Sequence, residues 1–85
     1  MKDNSIMVKF VEDLEAFVKS MQNGMGYVLK SDLLRQFHEY TNHRWNYFIF
    51  KQDNIMEYLI DECERMNVKV YEDEEEMMKE HKEDF

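Results

Sequence analysis

The chain has 85 residues, a formal net charge of −8 and one cysteine. This length suffices for one small domain, and a single cysteine excludes an intrachain disulfide, which fits a reducing compartment. No apolar run is long enough to cross a membrane, and the N-terminus lacks the apolar core of a signal peptide, so we expect a cytoplasmic protein.

The negative charge is concentrated at the C-terminal end. Residues 72–85 carry eight acidic residues against two lysines, whereas residues 1–71 carry eleven acidic and nine basic residues. We therefore expect a folded helical domain over 1–71 and an acidic C-terminal segment over 72–85. This charge balance disfavours direct binding to the phosphate backbone of nucleic acid.

Apolar residues spaced by three and four predict a first helix over residues 5–21. The apolar positions are Met7, Phe10, Leu14, Phe17 or Val18, and Met21. Ser5 or Asn4 is expected to cap the start of this helix, and Asn23-Gly24 to end it.

A short apolar strand is expected over residues 27–29, followed by a second helix over 32–41. Ser31 is the expected N-cap and Asn42 the expected end of that helix. Residues 43–50 have two open interpretations. Their aromatic alternation favours a strand, but an aromatic loop or helical turn packed over the core fits equally well.

The third helix is predicted over residues 53–66 with Asp53 as its cap. Its apolar face is formed by Ile55, Leu59, Cys63 and Met66, and its solvent face by Glu57, Asp61, Glu62, Glu64 and Arg65. Asn67 suits the C-terminal turn. A strand over 68–71, with one buried face, is expected to pair with 27–29.

Residues 72–85 form either a fourth short helix or a partly frayed tail. The predicted fold class is therefore mainly α: a three- to four-helix bundle with a minimal two-stranded β element, winged-helix-like.

Catalytic, metal and cofactor chemistry is not indicated by any motif. His38 and His43 are five residues apart and Cys63 is remote from both, which matches no zinc-ligand spacing. Cys63 lies on an apolar face behind acidic residues, as a buried core residue does. We expect a protein that is not an enzyme and has no cofactor.

A basic and aromatic segment over residues 30–51 supports an alternative as a nucleic-acid binder. Arg35, Arg44 and Lys51 would contact phosphates, and Trp45 would stack on a base. The competing interpretation, which we favour, places these aromatic residues in the core.

The acidic run has two readings. Glu72, Asp73, Glu74, Glu75 and Glu76 are consecutive. Such a run is usually a solvated tail that aids solubility, but its carboxylates can also imitate nucleic-acid phosphates and occupy a basic groove on a partner protein.

Three features of residues 26–76 occur together in one known family. They are the start Gly-Tyr-Val-Leu-Lys-Ser-Asp-Leu-Leu, the later Ile-Met-Glu-Tyr-Leu-Ile…Asn-Val-Lys-Val-Tyr helix and strand, and the acidic continuation. This pattern resembles region 1.1 of primary bacterial sigma factors. The chain departs from the family in three ways: the family domain is joined to a large sigma factor, segment 45–50 is outside the pattern, and Asn67 stands where the family usually has glycine.

The resemblance implies a small helical bundle that lies in the positively charged DNA channel of RNA polymerase and imitates nucleic acid until promoter DNA displaces it. Our leading hypothesis is thus a protein-binding module or inhibitor, in one form a phage DNA mimic directed at host RNA polymerase. The alternatives are the winged-helix-like nucleic-acid binder and a structural homo-oligomer that associates through Met77, Met78 and exposed aromatic residues.

Overall fold

The computed structural model describes residues 2–45 and 52–80, and the structural statements below concern these residues. The elements in chain order are α1 (Lys2–Asn23), β1 (Tyr27–Leu29), α2 (Lys30–Tyr40), α3 (Gln52–Arg65), β2 (Lys69–Tyr71) and α4 (Glu74–Glu80). The predicted fold class is confirmed: the chain is a small helical bundle with a two-stranded β element.

Helix α1 is longer than its apolar spacing indicated. It begins at Lys2, so Ser5 and Asn4 lie inside the helix and the predicted N-cap is wrong. Met7, predicted on the apolar face, is 36% exposed. Helix α1 has 22 residues, whereas α2 has 11 and α3 has 14. The first turns of α1 therefore have fewer residues to pack against. Both Phe17 and Val18 are buried.

Helix α2 follows β1 without a loop. Leu29 therefore occupies the cap position with extended backbone angles and no side-chain cap bond, and the predicted cap Ser31 lies within the helix. At the other end, the Asn42 N–H donates to the Glu39 carbonyl and the His43 N–H to the His38 carbonyl. With Asn42 at φ 56, this is a Schellman end without glycine.

Residues 43–45 form a turn rather than the start of a strand, and Trp45 is buried in the core. The aromatic core interpretation is therefore confirmed for Trp45. The rest of the 43–50 prediction lies outside the described residues.

Helix α3 begins at Gln52, which places the predicted cap Asp53 in its first turn. The helix ends in a second Schellman arrangement. The Val68 N–H donates to the Cys63 carbonyl at 2.8 Å and the Asn67 N–H to the Glu64 carbonyl at 3.3 Å, with Asn67 at φ 61. Asn67 thus ends the helix as predicted.

Glu62 was predicted to face solvent but is buried, with 7% of its surface exposed. It follows Ile55 by seven residues and Leu59 by three, and these spacings place it on the buried face of α3. The Arg65 guanidinium reaches it at 3.0 Å and compensates the buried carboxylate.

The two strands pair in parallel, with Tyr27 opposite Lys69, Val28 opposite Val70 and Leu29 opposite Tyr71. The predicted pairing is confirmed, although β2 begins one residue later than expected. The expectation of a single buried face is wrong, because Tyr71 is only 3% exposed and lies on the face opposite Val70. Helix α4 folds over that second face and covers the Tyr71 ring.

The core lies between α1, α2, α3 and the sheet. Its buried residues are Phe10, Leu14, Phe17, Val18, Val28, Leu33, Phe37, Trp45, Ile55, Leu59, Cys63 and Val68. Phe10 is its centre, with edge-to-face ring contacts to Phe37, Trp45 and Tyr58. These contacts join three separate segments, and the sheet is held as an extension of the same core.

Candidate protein-binding edge

The parallel pairing brings Asp32 and the acidic run after Tyr71 to one edge of the sheet. Because parallel strands run in the same direction, the residues that follow Leu29 and those that follow Tyr71 emerge side by side. They surround a shallow depression of about 520 Å³. Its acidic members, which we call the acidic edge, are Asp32, Glu72, Asp73, Glu74 and Glu75, and Leu29 and Ser31 complete the lining.

Two of the predicted acidic residues build the start of α4. Asp73 Oδ1 accepts a hydrogen bond from the Glu76 backbone N–H at 2.8 Å, and Glu76 Oε2 accepts one from the Glu72 N–H at 2.9 Å. This reciprocal arrangement resembles a capping box. Glu76 is half-buried and does not line the depression, whereas Glu74 and Glu75 are exposed. The capping bonds therefore fix the backbone from which these two carboxylates project.

Two cations contact the acidic edge: Arg35 lies 3.2 Å from Asp32 Oδ1, and Lys30 lies close to Glu72. The Lys30 Nζ lies 3.7 Å from Glu72 Oε2; the Lys30 side chain is 44% exposed and the Glu72 side chain 72%. An exposed ion pair of this kind contributes about 0–1 kcal/mol to stability. Lys30 neutralises Glu72 in part and Arg35 neutralises Asp32 in part, so the net negative charge of the edge rests mainly on Glu74 and Glu75.

The far end of α4 is attached to β2. The Tyr71 hydroxyl donates to Glu80 Oε2 at 2.8 Å, and Lys69 Nζ lies 3.7 Å from Glu80 Oε1. Burial, and then the neighbouring Glu80 carboxylate, raises the pKa of Tyr71 to about 12. The phenol therefore keeps its proton and remains a donor near neutral pH. Helix α4 is thus fixed at both ends, which makes the acidic edge part of the folded body.

The residues of the nucleic-acid alternative are engaged elsewhere. Trp45 is buried, and its Nε1 donates to Asp13 Oδ2 at 2.9 Å, the same oxygen that Arg44 Nη1 contacts at 2.8 Å. In this position the indole is not available to stack on a base.

Arg35 lies on α2 between two acidic partners of its own helix. It bonds Asp32 at 3.2 Å and Glu39 at 3.1 Å, and these hydrogen bonds raise the pKa of its guanidinium. Lys51 lies outside the described residues. The structure therefore brings Arg44 and Trp45 together on Asp13 but leaves Arg35 on another element.

The remaining candidate side chains for catalysis or metal binding, Cys63, His38 and His43, do not form a common site. Cys63 is fully buried, and burial followed by the Glu62 carboxylate raises the pKa of its thiol to about 11. The rings of His38 and His43 stack at 6.4 Å between centroids. Within residues 2–45 and 52–80, no group of three or more His, Cys, Asp or Glu side chains is placed to hold a metal ion.

None of the described helices has the length and apolar character needed to span a membrane.

Asp32 is the member of the acidic edge that sequence reasoning missed. It lies in the first turn of α2, about forty residues before Glu72. The pairing of the two strands was predicted without a direction. Had the parallel direction been inferred, the residues after each strand would have been expected at the same edge.

The chain matches no protein-family model, no curated protein and no solved structure. A functional assignment therefore depends on the geometry of the acidic edge and on the motifs in the sequence.

Proposed function

We propose that this chain is a small non-enzymatic module that binds a basic surface of a partner protein through its acidic edge. One observation carries the proposal. The parallel pairing that ends at Leu29 and Tyr71 joins Asp32 to the Glu72–Glu75 run around a single depression. A solubilising tail needs no such arrangement, since it acts through net charge alone.

The physical basis of binding is a set of carboxylates that project from a fixed helix backbone. Asp73 and Glu76 cap α4, and Glu80 attaches it to Tyr71, so the backbone that carries Glu74 and Glu75 is held in position before the partner arrives. Preorganised charges lose less conformational entropy on binding than charges on a loose chain. They also speed association with an oppositely charged surface and select against acidic ones, and both effects weaken as salt increases.

The partner class we favour is a nucleic-acid-binding protein with a basic groove, and the specific candidate is bacterial RNA polymerase. This choice rests on the resemblance to sigma region 1.1, in which the module would act as a DNA mimic or inhibitor. One departure from that family has little structural consequence. Asn67, which stands where the family usually has glycine, has φ 61, a conformation that glycine adopts readily.

The test compares two matched double variants. Glu74→Gln with Glu75→Gln removes two charges from the acidic edge. The control, Glu12→Gln with Glu15→Gln, removes two charges from exposed positions of α1. Binding of each labelled full-length protein to purified bacterial core RNA polymerase is measured by fluorescence anisotropy from about 0.05 to 0.5 M salt, where screening changes most strongly.

We expect the edge variant to bind about tenfold more weakly than the control, with a shallower dependence on salt. Double-stranded DNA should compete with the unmodified protein for the enzyme. Equal binding by both double variants would exclude the acidic edge as the binding surface.

Two further measurements separate the alternative functions. A salt-titrated gel shift with the isolated protein would reveal tight binding to DNA, the property of a nucleic-acid binder. Sedimentation at several protein concentrations would reveal a homo-oligomer, for which Met78, 54% exposed on α4, is a candidate contact.

A further inference from the structure

Strand β2 has an outer edge that no described strand covers. The Lys69 N–H donates to the Gly26 carbonyl at 3.1 Å, so the Lys69 backbone faces β1. In a parallel ladder the groups of alternate residues face opposite sides, so the N–H and C=O of Val70 point away from β1. Within residues 2–45 and 52–80 the sheet consists of β1 and β2 alone. Val70 therefore presents one donor and one acceptor in the geometry that an added strand requires.

A groove of about 470 Å³ runs beside β2. Its lining, which we call the β2 groove, is formed by Lys30, Ile60, Glu64, Asn67, Val68, Lys69, Val70 and Glu72. Ile60 and Val70 are half-buried and give it an apolar part. The side chains of an added strand would thus find both apolar and charged contacts, as peptides do when they extend a sheet.

The charges at the β2 groove favour a basic occupant. Its two lysines already have acidic partners, since Lys30 lies 3.7 Å from Glu72 and Lys69 lies 3.7 Å from Glu80. Glu64 forms no ion pair with any residue in the described part of the chain. The carboxylate that remains uncompensated within the groove is therefore that of Glu64.

This negative charge continues along α3. Glu57, Asp61 and Glu64 are exposed and follow one another at spacings of four and three, so they form one acidic stripe on the helix. At the opposite end, Glu72 connects the β2 groove to the acidic edge. A second copy of the chain is a poor occupant, because its own charge of −8 would be repelled.

We propose that the outer edge of β2 receives an extended segment of the partner that contains lysine or arginine, added as a third strand. This inference rests on the proposed function, since it states how the basic partner engages the surface next to the acidic edge. Backbone hydrogen bonds to Val70 would set the position of the segment. Its cations would reach Glu64 and the α3 stripe.

The test uses the full chain, labelled with ¹⁵N, and a defined probe, the acetylated and amidated peptide (Lys-Val)₄. Chemical shifts and hydrogen exchange of the Val70 amide are measured as the peptide is added to about millimolar concentration, the range of weak short-peptide binding. We expect exchange at Val70 to slow by about tenfold when the site is saturated, because its N–H gains an acceptor.

Two matched comparisons separate backbone hydrogen bonding by the peptide from its charge attraction to the groove. A fully N-methylated (Lys-Val)₄ keeps the charge but lacks backbone donors, and it should bind about tenfold more weakly. Glu64→Gln should also weaken binding of the unmethylated peptide, whereas Glu15→Gln on α1 should not.

The outcomes distinguish this inference from the function on which it rests. Salt-sensitive shifts confined to the acidic edge, with no protection at Val70, would overturn strand addition and leave the binding role of that edge intact. Absence of peptide binding would also overturn strand addition, while the polymerase assay with the edge variants decides the proposed function independently. If hydrogen exchange at Val70 slows as the protein concentration rises and does not depend on the peptide concentration, the edge serves self-association and the inference is overturned.

Discussion

Leu29 and Tyr71 lie opposite each other as the last paired residues of two parallel strands. This one pairing determines where the candidate site lies, because α2 begins directly after Leu29 and the acidic run directly after Tyr71. Lys30 and Glu72, the next residue on each side, come within 3.7 Å of each other. The folded scaffold and the acidic segment are therefore joined by backbone pairing, and the site depends on the integrity of the sheet.

Asp13 is predicted to be important for stability. Its Oδ2 accepts from Arg44 Nη1 at 2.8 Å and from the buried indole of Trp45 at 2.9 Å. We expect Asp13→Ala to lower the free energy of unfolding by about 1–3 kcal/mol, because an acceptor shared by two donors is lost. The neighbouring exposed variant Glu12→Ala should stay within about 0.5 kcal/mol of the unmodified protein in urea unfolding. Equal effects of the two substitutions would contradict the role given to Asp13.

Asn67 is predicted to tolerate glycine better than alanine. Its φ of 61 lies in the left-handed region, where a Cβ atom is unfavourable and the Asn side chain is tolerated. Asn67→Ala should cost about 1 kcal/mol, whereas Asn67→Gly should change stability by less than about 0.5 kcal/mol. The control Asn54→Ala lies within α3 and should be neutral or stabilising in the same denaturation experiment. A smaller loss for alanine than for glycine at position 67 would contradict the conformation described.

Cys63 is predicted to make folding sensitive to alkali. Burial raises the pKa of its thiol from 9.0 to about 11 in the folded state. Above pH 9 the unfolded chain therefore releases this proton more readily than the folded one. The contribution of the buried Cys63 thiol to the free energy of unfolding is fully present below pH 9 and is lost as pH rises towards about 11. Thermal unfolding from pH 8 to 11 should show this decline, and Cys63→Ala should lack the part that begins near pH 9.

The same thiol should react slowly while the protein is folded. Thiolate is the reactive form, and a buried thiol of raised pKa supplies little of it near neutral pH. Alkylation by iodoacetamide at about pH 8 should become many times faster in denaturing urea. Equal rates in the folded and denatured chain would show that Cys63 is accessible.

Glu80 is predicted to control the ionisation of Tyr71. The pKa of Tyr71 is about 12 because of burial and then of the hydrogen bond and negative charge of Glu80. Glu80→Gln removes that charge, so the Tyr71 ring signals in an NMR titration should shift at lower pH, with burial still holding the pKa above its ordinary value. Glu75→Gln, an exposed change on the same helix, serves as the control. An unchanged titration in the Glu80 variant would show that α4 is not attached through this pair.

The sequence alone determined the helical character of the protein and much of its core. Phe10, Leu14, Ile55, Leu59 and Cys63 follow spacings of three and four, and the structure buries all of them. The end of α3 at Asn67 was also predicted, whereas its left-handed conformation was not. These features are local, because the periodicity of a helix and the preference of Asn for a positive φ act within a few residues.

Only the tertiary structure decided the parallel direction of the two strands and the packing of α4 against β2. It placed Asp32 beside the Glu72–Glu75 run and buried Tyr71 beneath α4. Both outcomes depend on strands separated by about forty residues, and β1 and β2 are each only three residues long. Three residues carry too little alternation to encode direction, so the packing of α1, α2 and α3 around a common core determined how the strands, and with them the acidic edge, came together.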